Sequence, residues 1–302
     1  MNSEAKIAQF IGHKDCVYAL VNGPKTGCFF SGSADGMVVL WDIKKPEKGL
    51  PIAQVRGSVY ALFYNSVGNE ILIASNRDGL HLIDLNTKTE IWSFPSPDHQ
   101  WFRMQNVGKH VWILGSKGRV LIVDLKSRTV EEKQFGQHDL RSIDVDRNES
   151  KIGIGNSNKE IFIVCLGKNT VNIIPNAHQS TVFGIRFHPY AQKFISAGRD
   201  AKLKIWGENL KGDWALENEV AAHLFSIHDI KLHPTKPILI SGSTDKNIKI
   251  WHPETLKLLR VLDKTRHAGH GHSVNQLLWL ENTEVLLSCS DDRTISAWNI
   301  FE

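Results

Sequence analysis

No stretch of the 302-residue chain approaches the ~18 consecutive apolar residues of a membrane-spanning helix, which sets a transmembrane reading aside. The opening MNSEAKIAQF has no basic segment leading into an apolar one, so no secretory signal is expected. Cysteine is scarce. Cys16, Cys28, Cys165 and Cys289 are scattered without paired spacing, which argues against a disulfide framework and for free, mostly buried thiols in a reducing compartment. Neither sign of charge dominates: the net charge is +4, too mild to demand a nucleic-acid partner, whose binders concentrate their basic residues in a stripe. There is no H-E-x-x-H, no paired C-x-x-C, no G-x-x-x-x-G-K-[ST] and no G-x-G-x-x-G after a strand. What remains is 41% hydrophobic and 23% charged, with 23 glycines spread across turns, as in one soluble globular unit able to bury a large core.

The positive signal is a repeat. ISGSTDKNIKIW, ending at Trp251, holds two β-branched runs around a polar tip, the pattern of a hairpin. FISAGRDAKLKIW ends likewise at Trp206, LLSCSDDRTISAW at Trp298 and FFSGSADGMVVLW at Trp41. In all four, a Ser lies ten residues before the Trp, an Asp six before it and a His 28 before it. Three weaker copies fill the gap, SNRDGLHLIDL with Ile83, GSKGRVLIVDL with Val123 and GNSNKEIFIVCL with Val164 at the Trp position. The spacings are then 42, 40, 41, 42, 45 and 47, so seven units cover the chain.

The Gly12-His13 start, the Trp41-Asp42 end and this period resemble the Trp-Asp (WD) repeat family. The resemblance extends over the whole chain and implies an all-β, seven-bladed β-propeller with four antiparallel strands per blade. A single domain over 1–302 is expected, with blades near 12–54, 55–97, 98–135, 136–177, 178–222, 223–269 and 270–302 plus 5–11. The last copy stops after its third strand, while a spare strand precedes Gly12. Lys6 to Ile11 is therefore expected to pair with the strand near Ile295 to Ile300, removing an open sheet edge.

The full copies hold four sets of residues: His13, Ser31, Asp35 and Trp41; His178, Ser196, Asp200 and Trp206; His223, Ser241, Asp245 and Trp251; and His270, Ser288, Asp292 and Trp298. One such set would invite a hydrolase reading, but four at fixed places in a hairpin do not make one active site. No nucleophile elbow is present either. A buried chain explains the spacing better: Asp accepts from imidazole, imidazole bonds Ser, and Ser accepts the indole N–H. The family resemblance implies the same structural tetrad. In the second copy Arg77 takes the Asp position with Asp78 beside it. The third copy is the most divergent, its inner strand alignable only to within one residue, and in the fourth Asn158 replaces Asp while His138 is out of register. This second-to-fourth sector is expected to exchange its amides faster.

Smaller features take plain readings. His188 and His233, each before a Pro, are expected on surface turns, and Lys202, Lys204, Lys246 and Lys249 on solvated strand faces. KTRHAGHGHS brings His267, His270 and His272 close in sequence, and a flexible loop is expected there rather than a metal site. No cofactor is expected.

By the period of two, the residue after each inner-strand Val points away from the blade core. Around the ring these are Tyr18, Tyr60, Arg103, Arg141, Phe183, His228 and Asn275, with Asp15, Trp101, Phe225 and His272 in neighbouring loops. Aromatic residues and Arg are the types enriched at binding hot spots. They suggest a site at the mouth of the central channel for a peptide carrying an acidic or phosphorylated group. The expected function is a non-catalytic interaction scaffold or adaptor. It would be cytoplasmic, with the nucleus left open, and a monomeric propeller inside a larger complex with protein or peptide partners and no membrane. The alternatives are a propeller enzyme (hydrolase or lyase) and a subunit of a nucleic-acid-associated complex.

Overall fold

β-branched runs broken by Gly, Asp and Asn tips fold into seven four-stranded antiparallel sheets, an all-β seven-bladed propeller. The computed structural model describes residues 5–301; residues 1–4 and 302, which the expected domain includes, lie outside the described residues. In the first blade the strands Val17–Asn22, Cys28–Ser33, Met37–Asp42 and Leu50–Gln54 run from inner to outer edge in chain order. The next five blades repeat this order, with inner strands at Val59–Asn65, Trp101–Val107, Leu140–Val145, Val182–Phe187 and Ile227–Leu232. The seventh departs from it. Val274–Trp279, Val285–Ser290 and Thr294–Asn299 take their outer strand from Lys6–Ile11, so the expected pairing is present, with Phe10 opposite Ile295 and Ile11 opposite Thr294. Phe10 is buried against Phe29 and Trp41, which ties this strand into the core as well as into the ladder.

The burial pattern explains the layering. In the second strands nearly every side chain is buried, and within each unit their apolar residues pack against strands of an adjoining blade. Outer strands face water; in Thr129–Gln134 and Thr170–Ile174 none of the residues is fully buried. Contacts divide the chain into two compact units. One runs up to Trp101 and resumes at Leu262, with Lys246–Ile248; the other holds Phe102–Asp245 and Lys249–Val261. Within the first, Phe30, Val38, Val59, Ile71 and Ile73 form the core between the first two blades. Within the second, Leu114, Val120, Leu140, Ile152 and Ile154 do the same for the third and fourth.

Among the described strand registers, six inner strands carry a bulge one residue after their start, at Val17/Ala19, Val59/Ala61, Leu140/Ser142, Val182/Gly184, Ile227/Asp229 and Val274/Gln276. The skipped residue has no partner on the next strand, and the bulge re-aims its side chain.

Several expectations need correction. His233 is buried, because its Nδ1 accepts the backbone N–H groups of Thr235 and Lys236 and folds the ring under its own turn. Lys204 is buried too, its ammonium lying 5.9 Å from the Trp206 ring centroid and 3.3 Å from Glu219. Cys289 alone of the four free cysteines is fully buried; Cys16, Cys28 and Cys165 are half-buried. The segment before His270 is not a plain loop. Lys264–His267 forms one helical turn, capped by Asp263, whose carboxylate accepts the Arg266 N–H. Among the described residues no helix is long and apolar enough to cross a membrane.

Candidate functional site

The four His/Ser/Asp/Trp sets make the same hydrogen-bond chain. His13 Nδ1 donates to Asp35 at 3.1 Å, its Nε2 accepts from Ser31 Oγ at 2.7 Å, and Ser31 Oγ accepts the Trp41 indole N–H at 2.8 Å. In the other three copies the Asp bond is 2.8 or 2.9 Å, and the Ser and indole bonds repeat at 2.7 and 2.8 Å. Burial favours the neutral imidazole at His13 and His223, outweighing the neighbouring carboxylates. Burial also opposes the charge of Asp200, but the His178 imidazole and the N–H groups of Gln179 and Lys202 overcome it and hold the carboxyl at about 2. Each Asp thus closes the turn as well as orienting the ring.

Sequence reasoning missed a second serine. Ser33, Ser243 and Ser290 stand two residues after a tetrad Ser, and their hydroxyls accept the backbone N–H of the tetrad Asp at 3.1 or 3.2 Å. Its signal was present, as S-x-S in three of the four copies.

These chains coincide with what comparison finds. The family model described as "WD domain, G-beta repeat" matches residues 4–42, 168–207, 214–252 and 258–299, more than half of the chain. The chain belongs to the WD-repeat family. No curated protein matches it. The four matched segments each end one residue after a tetrad Trp, so this WD-repeat protein is recognised through its tetrad-bearing blades.

The predicted partner-binding residues fall into two groups. In the first compact unit, Tyr18 and Tyr60 stack face to face, with centroids 4.3 Å apart and planes at 6°. Asn275 is half-buried, its amide donating to the carbonyl of Val17, the residue before Tyr18, and to Asp291. Burial, and next the neighbouring Tyr60, push the Tyr18 phenol far above its ordinary range. Burial and Asp291 push the Cys16 thiol up to about 11, which keeps it protonated rather than a thiolate nucleophile.

In the second unit, the Arg141 guanidinium lies 3.8 Å from the Phe102 ring centroid and 5.4 Å from that of Phe183. Phe183 is 5.2 Å from the His228 ring, whose Nε2 bonds Thr244 Oγ1, and Arg103 donates to the His228 carbonyl at 3.3 Å. Phe225 is 61% exposed. Trp101 does not belong with them: it is fully buried. Asn76 Oδ1 accepts its backbone N–H at 2.8 Å and starts the strand there, so its side chain enters the core, and its assignment to partner binding is withdrawn.

The reason for the outward turn also differs from the expected one. Tyr18, Tyr60, Arg141, Phe183, His228 and Asn275 are the bulge residues, so a local insertion in the ladder, not simple alternation, frees them. Further along the inner strands of the second unit lie charges that the repeat pattern did not single out. Arg186 pairs with Asp229 at 3.0 Å, Asp144 accepts the Phe187 N–H at 2.7 Å, and burial followed by Arg186 depresses Lys231 to about 8. Where these strands have Asp144, Arg186 and Lys231, the first unit's strands have Val21, Phe63 and Leu278.

Proposed function

We propose that this WD-repeat protein is a non-catalytic scaffold that binds peptide or protein partners at the blade ends where the inner strands begin. Members of the family typically serve as protein-interaction scaffolds. The observation that carries the reading is the arginine–aromatic stack of Phe102, Arg141, Phe183 and His228, with Arg103 beside it. A guanidinium held against two aromatic rings has a restricted orientation, and its planar fork matches a carboxylate or phosphate. Tyr18 and Tyr60 supply a rigid apolar platform of low entropic cost in the other unit, with Asn275 as an accessory contact there, while Phe225 is an accessory contact of the second unit. The tetrad serines are not nucleophiles on this reading. Each is fully buried and already bonded to both imidazole and indole, which leaves no approach for a substrate. The blades act as one domain over 1–302 in a reducing compartment, in keeping with four free cysteines.

Affinity purification with the wild type and with Arg103→Glu/Arg141→Glu tests this. Proteins recovered with the wild type are expected to be lost with the charge-reversed chain; recovery unchanged by both substitutions would remove the reading. Binding that collapses steeply with salt and survives protease but not nuclease would favour a nucleic-acid partner instead.

A further inference from the structure

A cleft of about 420 Å³ lies between the turn 146–151 of the fourth blade and the turn 187–193 of the fifth, at the end of the fifth blade opposite its tetrad. Its walls carry Arg147, Lys151, Phe187, His188, Tyr190 and Trp214. Most of the charge around it is committed. Lys151 pairs with Glu208, Lys193 pairs with Glu217 at 2.6 Å, and Asp146 closes its own turn by accepting from Ser150 and Lys151.

Three donors are not committed. The Trp214 indole N–H is buried and has no acceptor among the described residues. His188 Nδ1 accepts the Tyr190 backbone N–H at 3.3 Å, and burial favours the neutral ring, so the proton sits on Nε2, which has no acceptor among the described residues. The Arg147 guanidinium lies 5.4 Å from the Tyr190 ring centroid and makes no ion pair among the described residues. A buried donor without an acceptor is disfavoured in a folded protein, and an unpaired Arg on an exposed Tyr face is ready for a carboxylate.

We propose that this cleft docks an acidic peptide segment, with a Glu or Asp carboxylate on Arg147 and an adjacent backbone carbonyl or carboxylate accepting from His188 and Trp214. Phe187 and the exposed Tyr190 take an apolar side chain next to the acid. The charge complementarity is local: among the described residues that line this cleft, a guanidinium without an ion pair shares the walls with two N–H groups without acceptors.

Display of random dodecapeptides on the full chain, with counter-selection on Arg147→Glu, tests the site. Peptides that discriminate the two chains are expected to carry Asp or Glu beside an aliphatic or aromatic residue. By fluorescence anisotropy they should bind Arg147→Glu at least about tenfold more weakly. Trp214→Phe, which keeps the ring and removes only the N–H, should weaken them severalfold. Arg147 is exposed, so its variant is expected to fold, and circular dichroism checks it. Three results would overturn the proposal: no peptide discriminating the two chains, enriched peptides without an acid, or a single-stranded oligonucleotide that displaces them with the same Arg147 dependence. Its failure is separable from that of the reading above, which is read on Arg103 and Arg141.

Discussion

Blades one, five, six and seven are locked by buried polar chains, whereas blades two, three and four are filled with hydrocarbon. Where the tetrads have Ser31, Ser196, Ser241 and Ser288, the other blades have Ile73, Ile113 and Ile154, all fully buried. Where they have Trp, the others have Ile83, Val123 and Val164. The His and Asp positions change in the same blades, to Val55 and Arg77 in the second and to Gly136 and Asn158 in the fourth. The exchange is of whole sets. Removing one member of a buried hydrogen-bonded chain strands its partners, while replacing all of them by apolar groups of suitable shape can be nearly neutral. At the buried Ser and Trp positions the two kinds of blade are therefore alternative solutions to one packing problem.

The comparison is sharpest when the two solutions are mixed. Ile154→Ser puts a lone hydroxyl among Ile152, Phe162 and Val164 and forfeits a buried aliphatic side chain. A loss of about 4 kcal/mol is expected in urea unfolding, and a loss below about 1 would refute the idea of exclusive sets. Ser196→Ala leaves His178 Nε2 and the Trp206 indole N–H without a partner and should cost about 3 kcal/mol by the same measurement. Reversal of the order of these two effects would show that the polar lock, not the aliphatic fill, is the less tolerant arrangement.

A smaller effect is expected from pH. In the folded chain burial holds His13 and His223 below their ordinary 6.5, and Asp200 is held at about 2 against 3.8. The unfolded chain binds more protons than the folded one below pH 6.5, first on these His and then on the carboxylate, so stability falls with pH. The Asp200 contribution is fully present above 3.8 and is lost as pH falls through about 2. Thermal unfolding followed from pH 8 to pH 3 should show a decline that Asp200→Asn reduces at the acid end; a flat profile would contradict it.

The mildest difference is dynamic. Amide exchange is expected to be fastest in blades two to four, led by the exposed outer strands Thr129–Gln134 and Thr170–Ile174. Uniform protection across all seven outer strands would mean that hydrocarbon fill closes a blade as firmly as the polar chain does.

Much of this was legible in the chain itself. The recurrence of Ser, Asp and His at fixed distances before Trp marks four hairpins, and a strand left over at one end matches a sheet one strand short at the other. Spacing carries such information because a hairpin converts sequence distance directly into position. The facing of single side chains was less legible. Tyr18 and Arg141 turn outward because a bulge skips them, and a bulge leaves no mark in a run of apolar residues. Trp101 looked like a mouth aromatic and is core, since the strand start is set by Asn76 from the preceding blade.

The sequence by itself determined the period, the four polar chains and the partner of the first strand, because each depends on separations within one hairpin or on counting strands. Only the tertiary structure decided that Arg147, His188 and Trp214 share a cleft and that Arg141 lies between Phe102 and Phe183. Arg147 comes from the fourth blade and His188 and Trp214 from the fifth, while Phe102, Arg141 and Phe183 come from three successive blades. Their meeting depends on how sheets stack, which no local pattern encodes.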